Sequence, residues 1–395
     1  MSTDQAHNRF LLGALSLGHF TNDWVAGTLW ILAPAIAASM GLGPAEVGLI
    51  LAINGIGAGL AYVPAGVLAD RSSRPGLLML LTFWWVAIGY FCATLAPGFW
   101  GVTLLLAFGV MGDAAWHPVA TGVLVKQMPK KRAQVLGIHA VGGSIGAEVF
   151  GPISAGFLLG YFSWQTTLQI LVIPAVLVGI VFIPIARKIG TVQKQKMSSY
   201  EFVTLLRHWF SPRGLQLVVL MISYNMALMA TLAMTPLFFQ SEHGLDAFYT
   251  SVIFAVILLL GTFFQPLAGK ASDRIGRGVI ILWVMVASIV ASLLAAGSNH
   301  LIMFVISVLV SIGMLTAVRP VILAAAVDFS SESESTTLGI VFSMMDGVGA
   351  LGALCAGLVG EFDLRYAFAF SAVMASIAAT LSVRFAFTGP QTADV

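Results

Sequence analysis

The sequence predicts an all-α integral membrane fold, with twelve transmembrane helices in two pseudo-symmetric six-helix bundles. Three observations predict it: a composition with too little charge to face water, apolar runs of membrane-crossing length, and a motif that recurs at matching places in the two halves. Charged residues make up 9% of the chain and apolar residues 58%, and the mean hydropathy is +0.95. A soluble domain carries roughly 25% charged residues, so most of this surface must be solvated by lipid. A spanning helix needs about 20 apolar residues, and 395 residues with short connections leave room for about twelve.

In order, the apolar runs predict spans over 10–38, 45–69, 76–96, 99–125, 134–160, 164–186, 214–239, 247–269, 279–297, 301–327, 337–360 and 365–387. Glycine, proline or charge marks the connections, as in Gly41-Leu42-Gly43-Pro44 and Ala96-Pro97-Gly98. Backbone groups in lipid must be satisfied internally, so the spans are helices, and the ten-residue alternation of a barrel is missing. The longest polar stretch lies at the midpoint and divides the chain into an N-terminal bundle (1–186), a cytoplasmic linker (187–213) and a C-terminal bundle (214–395). That linker is too short to hold a catalytic domain. The apolar run from Phe10 lacks a small-residue cleavage pattern and continues into a full span, so no removable signal peptide is expected.

Lys and Arg accumulate on the cytoplasmic side of a membrane protein. Arg71 and Arg74; Lys126, Lys130, Lys131 and Arg132; Arg187, Lys188, Lys194, Lys196, Arg207 and Arg213; and Lys270, Arg274 and Arg277 all fall in even-numbered connections. With Arg9 and Arg384 at the ends, only Arg319, inside a span, and Arg365, beside Glu361 and Asp363, lie elsewhere. Both termini are therefore expected in the cytoplasm, with an even number of spans. The net charge of +2 says little about partners. Cys92 and Cys355 sit in apolar stretches, and no CxxC or Cys/His spacing points to a metal site or a disulfide framework.

The halves echo each other at a shift of about 202 residues. Gly66-x-x-x-Asp70-Arg71-x-x-Arg74 reappears as Gly269-x-x-x-Asp273-Arg274-x-x-Arg277, each copy after an even-numbered span. His117-Pro118 maps onto Arg319-Pro320, and Asn22 onto Asn225. Six spans repeated in parallel are the signature of one transporter class. The doubled motif resembles the cytoplasmic loop signature of the major facilitator superfamily, and the resemblance covers essentially the whole chain. It implies a gating role for Asp70, Arg71, Arg74, Asp273, Arg274 and Arg277, in which the acid sits near a helix N-terminus and the arginines bridge the halves. It also implies that spans 1, 4, 7 and 10 line a central cavity.

A narrower resemblance rests on Leu12 to Asp23 at the opening of span 1, Trp116-His117-Pro118 in span 4, and Val141-Gly142-Gly143-Ser144-Ile145-Gly146 with Gly151-Pro152 in span 5. Together these look like the fosmidomycin-resistance branch of the superfamily, whose members act as proton-driven drug exporters. Val119 stands where that branch tends to carry a glutamate after the His-Pro pair, and Asp113 is the residue that would replace it. The glycine run of span 5 is close to the superfamily's antiporter motif, with one residue extra before Gly-Pro.

Asp23, Asp113, Glu148, Arg319 and Asp346 lie well inside spans. At about 2.5–3.5 kcal/mol each on the insertion scale, they would cost on the order of 15 kcal/mol if they faced lipid. They must face a cavity or one another. His19, Asn22 and Asp23 stand at i, i+3 and i+4 on one face of span 1, and Asp113 and His117 form an i, i+4 pair on span 4. Pro118 removes a backbone donor and is expected to bend that helix. Arg319 cannot lose its proton and needs a counter-charge, from Asp346 or from an anionic substrate. In span 5, His139 and Glu148 are nine residues apart, about 180° around a helix. Glu148 shares a face with Ser144, which aligns with Asp346 in the repeat, so Glu148 is assigned to the polar pathway and His139 to packing.

The expected activity is proton-coupled export of a small anionic or amphipathic compound by alternating access, with import of a small carboxylate or phosphonate by proton symport as the alternative. Asp23, Asp113, Glu148 and Asp346 are the expected proton-coupling residues. Arg319, His117, His19, Asn22, Trp116 and Asn225 are the expected substrate contacts. Nothing resembles an enzyme's nucleophile–base pair. The expected partners are a small-molecule substrate, protons and membrane lipid, without nucleic acid, cofactor or metal, and the chain is expected to act as a monomer in the cell inner membrane.

Overall fold

The computed structural model describes residues 3–128, 132–189, 207–330 and 339–387, and these are almost entirely helical. Most of the linker, 190–206, and the basic residues Lys130, Lys131, Lys194 and Lys196 lie outside the described residues, as do the side chains of Asp70 and Arg132.

Span 1 consists of α1 (Thr3–Gly27) and α2 (Leu29–Ser39). They are separated at Thr28, whose hydroxyl donates back to the Val25 carbonyl at 2.6 Å. Spans 2 to 4 are α3 (Pro44–Arg71), α4 (Pro75–Leu95) and α5 (Gly98–Gln127). Span 5 runs through α6 (Arg132–Ser144), a π-helical segment (Ile145–Phe150) and α7 (Gly151–Leu159). Span 6 is α8 (Trp164–Leu171) and α9 (Ile173–Lys188).

In the second half, spans 7 to 9 are α10 (Pro212–Ser241), α11 (Ala247–Ile275) and α12 (Arg277–Gly297). Span 10 is α13 (Leu301–Ala317) and α14 (Arg319–Ser330). Span 11 contains a second π-helical segment (Ser343–Val348) and α15 (Leu351–Gly360), and α16 (Arg365–Phe387) is span 12. Eleven of these spans are long and apolar enough to cross a membrane. The first falls short in apolarity and not in length: α1 has 25 residues, but polar ones dilute it.

Local chemistry sets the boundaries. Proline, which has no N–H to lose at a helix start, opens α3, α4 and α10. Gly41 and Gly98 adopt φ of 67° and 69° in the predicted connections, a conformation that side chains disfavour. Leu60, Trp100, Phe263, Trp283 and Ile302 are each more than half exposed, which suits a surface solvated by lipid.

The chain forms two compact units, Met1–Met40 with Ile53–Met197 and Leu245–Ala255, and Gly41–Ala52 with Ser198–Gly244 and Val256–Val395. The core of the first gathers Leu15, Met79, Phe83, Trp116 and Phe182 from spans 1, 3, 4 and 6. In the second, Phe238 stacks on Phe304 at 4.2 Å between ring centroids, and Phe368 packs edge-on against both.

Lipid supplies no hydrophobic drive for helix association, so small residues that admit close approach matter more. Gly142 and Gly146 on span 5 face the backbone carbonyls of Ser16 and Phe20 on span 1. Gly352 on span 11 likewise faces the backbone of Met226 on span 7.

Candidate functional site

In the first unit, the acid–imidazole pairs of spans 1 and 4 meet as one cluster. His19 Nε2 lies 3.3 Å from Asp23 Oδ2, one helical turn along α1. On α5, His117 Nε2 lies 4.0 Å from Asp113 Oδ2 and 3.9 Å from Asp23 Oδ1 across the helix contact. The imidazoles of His19 and His117 meet edge-on, with centroids 4.8 Å apart. The carboxyls of Asp23 and Asp113 are within side-chain hydrogen-bonding contact of each other. Yet Oδ1 of each is buried without a hydrogen-bond donor among the described residues. Two ionised carboxylates in contact repel unless a proton or another cation lies between them.

His139 joins this cluster from span 5. Its ring stacks on His19 with centroids 4.3 Å apart, and its carbonyl faces His19 Nδ1 at 2.9 Å. Both of its ring nitrogens are buried without a hydrogen-bond partner among the described residues. The sequence assigned His139 to packing because an ideal α-helix turns it about 180° from Glu148. Glu148 lies inside the π-helical segment that starts at Ile145, whose wider winding departs from that ideal register. Glu148 is the fourth residue of the segment and is half-buried.

The backbone partner of His19 fixes its protonation chemistry. Nδ1 faces a carbonyl oxygen, so it must carry a hydrogen and donate. In the neutral ring, Nε2 is then a bare acceptor, pointing at a carboxylate oxygen that is also an acceptor. The contact becomes a hydrogen bond only when a further proton sits on Nε2 or on Asp23.

Asn22 and Trp116, expected to contact substrate, are placed in helix packing instead. Asn22 is fully buried, and its amide donates to Thr82 Oγ1 on span 3 at 3.3 Å. One residue along a helix turns about 100°, so Asn22 points away from Asp23, and Trp116 away from His117. Trp116 is fully buried beside Phe83 and Phe182 and lies over Gly18. Tyr62 approaches His117 with ring centroids 6.1 Å apart, a neighbour that the sequence did not single out.

In the second unit, Arg319 Nη2 lies 2.8 Å from both Asp346 oxygens. Span 10 is interrupted at Val318, just before Arg319 and Pro320, whereas α5 continues unbroken through the repeat-related Pro118. Asp346 is the fourth residue of its π-helical segment, as Glu148 is of the other. Asn225 is fully buried and donates to the Met345 carbonyl at 2.6 Å, which ties span 7 to this segment. Such segments recur at functional sites. Their only trace in the sequence is an acid at membrane depth beside glycine, Gly146 near Glu148 and Gly347 after Asp346.

Of the expected gating residues, Arg277 forms an ion pair with Asp328 at 2.5 Å, both in the second unit. Arg71 ends α3, and Asp273 and Arg274 lie in the last turn of α11. The backbone N–H of Arg74 donates to Ser72 Oγ at 3.0 Å.

Two glycines of span 5 separate site from scaffold. A Cβ on Gly143 would meet His19 Nε2 at 2.5 Å and Asp23 Oδ2 at 2.7 Å, both ends of movable side chains. A Cβ on Gly146 would strike the Phe20 backbone carbonyl, which cannot swing aside. Gly143→Ala is therefore expected to keep the wild-type melting temperature while transport falls at least ~10-fold. Gly146→Ala should lower the stability itself, by about 1–3 kcal/mol as overpacking does. Thermal unfolding followed by size-exclusion chromatography, beside flux in vesicles, distinguishes them, and Gly137→Ala, which meets open space, serves as control.

The chain matches the profile of the Major Facilitator Superfamily over residues 15–301 and again over 258–394. It is 24% identical over 377 residues to the fosmidomycin resistance protein of Escherichia coli, covering 91% of this chain and 89% of that one. It is also 22% identical over 347 residues to the multidrug efflux protein YfmO of Bacillus subtilis, covering 83% of this chain and 81% of that one. Among solved structures, a bacterial homologue of the human lysosomal transporter Spinster superposes with a TM-score of 0.78, at 18% identity over 98% of both chains. The nucleoside transporter NupG superposes with a TM-score of 0.75, at 17% identity over 95% of this chain and 98% of its own. With the twelve-span helical fold, these matches make the chain a multi-pass membrane transporter and not an enzyme, and it belongs to the Major Facilitator Superfamily.

Proposed function

We propose that the chain is a proton-coupled exporter of a small anionic or amphipathic compound, working by alternating access as a monomer in the bacterial inner membrane with both termini in the cytoplasm. The observation that carries this reading is the His19–Asp23 contact, which forms a hydrogen bond only when an additional proton is present. Asp113 and His117 extend it into a chain of proton-accepting groups, a relay of the kind that intramembrane acids and histidines supply in pumps and transporters.

Arg319 is the proposed anchor for an anionic group of the substrate. Its guanidinium is a permanent cation, and Asp346 neutralises it at rest, so an arriving anion competes with that carboxylate. The relatives named for efflux or export, YfmO and the enterobactin exporter EntS, favour the outward direction. The relatives named for anions, a hexuronate transporter and a probable nitrate transporter, favour the charge of the substrate and keep proton symport of a small carboxylate or phosphonate as a second reading.

The test is substrate-evoked proton movement in energised inside-out vesicles, with phosphonates, small carboxylates and amphipathic drugs added in turn. Export by antiport alkalinises the lumen in the wild type and has no effect in Asp23→Asn. An equal response from Asp23→Asn would remove the cluster from the mechanism. Silence toward every compound would leave proton coupling without support.

A further inference from the structure

The cluster in the first unit has a capacity beyond proton transfer. Among the described residues, one atom each from His19, Asp23 and His117 lie within 4.8 Å of one another, in an arrangement that could hold a metal ion. We propose that this cluster binds a divalent transition cation of the zinc class, which occupies the position of the proton and blocks the carrier. The inhibitory consequence rests on the proton-coupled reading above; the binding itself does not.

The donor set selects the ion class. Two imidazole nitrogens and a carboxylate oxygen suit Zn²⁺, Co²⁺ or Ni²⁺, whereas Mg²⁺ and Ca²⁺ take oxygen ligands. Zinc accepts three protein ligands with a fourth position open, at about 2.0–2.2 Å from nitrogen or oxygen. With His19 and Asp23 already 3.3 Å apart and His117 3.9 Å from Asp23, small side-chain rotations bring the three donors around one ion.

The surroundings fit a metal ligand as well. A ligating histidine usually donates its other ring N–H to a carbonyl or carboxylate, which fixes the tautomer. His19 has this arrangement already, with Nδ1 on the His139 carbonyl and Nε2 facing the cluster. Asp113 is more than nine-tenths buried, and its Oδ1 has no donor among the described residues. Its Oδ2 faces His117, the position from which it can complete the shell directly or through water. Asp23 and Asp113 together offset the charge of a divalent ion, so the filled site is neutral at a depth where net charge is costly. Binding expels the proton from the His19–Asp23 contact, since metal ligands must be deprotonated.

The test uses purified full-length protein with Co²⁺ as the probe. The expected result is one Co²⁺ per chain with the visible absorption of a tetrahedral site, displaced by Zn²⁺. Affinity should fall at least ~100-fold in His117→Ala and in Asp23→Asn, more than the outer-shell changes that cost 10–100-fold. A variant with His7, His208, His243 and His300 all changed to alanine removes every histidine outside the cluster and His139, and should bind as the wild type does. A spectrum of six-coordinate, hydrated Co²⁺ in the wild type overturns the proposal. So does a tetrahedral spectrum that survives both cluster variants or disappears in the fourfold one. If either cluster variant fails to run as a single species on size exclusion, the wild-type spectrum and the fourfold variant still decide. Failure to bind leaves the vesicle proton assay untouched, and failure of that assay leaves the metal measurement standing, so the two readings fall separately.

Discussion

Asp346→Asn is expected to destabilise the protein by about 3–5 kcal/mol, the cost of breaking a buried ion pair by removing one partner. Arg319 keeps its charge under all conditions, and in the wild type one of its nitrogens holds both Asp346 oxygens at 2.8 Å. An asparagine keeps the shape of the partner and removes its charge, so the guanidinium loses this ion pair at membrane depth. The two side chains are 28% and 16% exposed, so water reaching them places the effect toward the lower end. Even so, it is a large share of a typical stability of 5–15 kcal/mol.

Removing both charges, as Arg319→Met with Asp346→Asn, should restore most of that stability, because replacing a buried pair by neutral groups is often near neutral. Transport of an anionic substrate would remain absent. Thermal unfolding of wild type, single and double variants reads this directly, and a wild-type melting temperature for Asp346→Asn would show that Arg319 is neutralised elsewhere. If Arg319 anchors the anion, the transported compound should also raise the melting temperature of Asp346→Asn more than that of the wild type. In the variant, no carboxylate at position 346 competes with it for the guanidinium.

The spans, the repeat and the helix class were legible because lipid leaves a chain few choices. Low charge, runs of membrane length and a duplicated loop motif admit one architecture, and the charges at depth pointed to His19, Asp23, Asp113, His117, Arg319 and Asp346. Contact across helices was less legible. Asn22 and Asn225 read as substrate ligands because they are polar and repeat-related, yet the amide of each donates to a neighbouring span, to Thr82 in one case and to the Met345 carbonyl in the other. Trp116 shares its dipeptide with His117, but the 100° between successive residues sends it into the core. His139 read as a packing histidine; it is buried and stacked on His19, but on the face of span 5 that also turns Gly143 toward the cluster, a neighbourhood that one-helix geometry does not reveal. Chain spacing gave no sign of the proposed metal site because its third ligand, His117, comes from another span about 100 residues from His19.

Asp113→Asn is expected to separate substrate movement from the proton gradient. An amide in this place can still meet the Asp23 carboxylate, now by donating to it, so the contact between spans 1 and 4 and the fold should survive. The variant cannot take a proton, which removes from the cluster one of the two facing carboxyls between which a proton can be held. In a coupled carrier moving one proton per substrate, each pH unit is worth about 1.4 kcal/mol, and so supports up to a tenfold substrate gradient. The wild type should therefore hold a gradient that grows about tenfold per unit of imposed pH difference, whereas Asp113→Asn should relax to equal concentrations. Exchange of labelled for unlabelled substrate at zero gradient should continue in the variant, because Arg319 and the second unit are intact. If the variant keeps the tenfold response, Asp113 carries no part of the coupling and the His19–Asp23 pair suffices. If exchange stops as well, Asp113 is needed to bind substrate or to change conformation, and the assignment of separate proton and anion sites to the two units must be withdrawn.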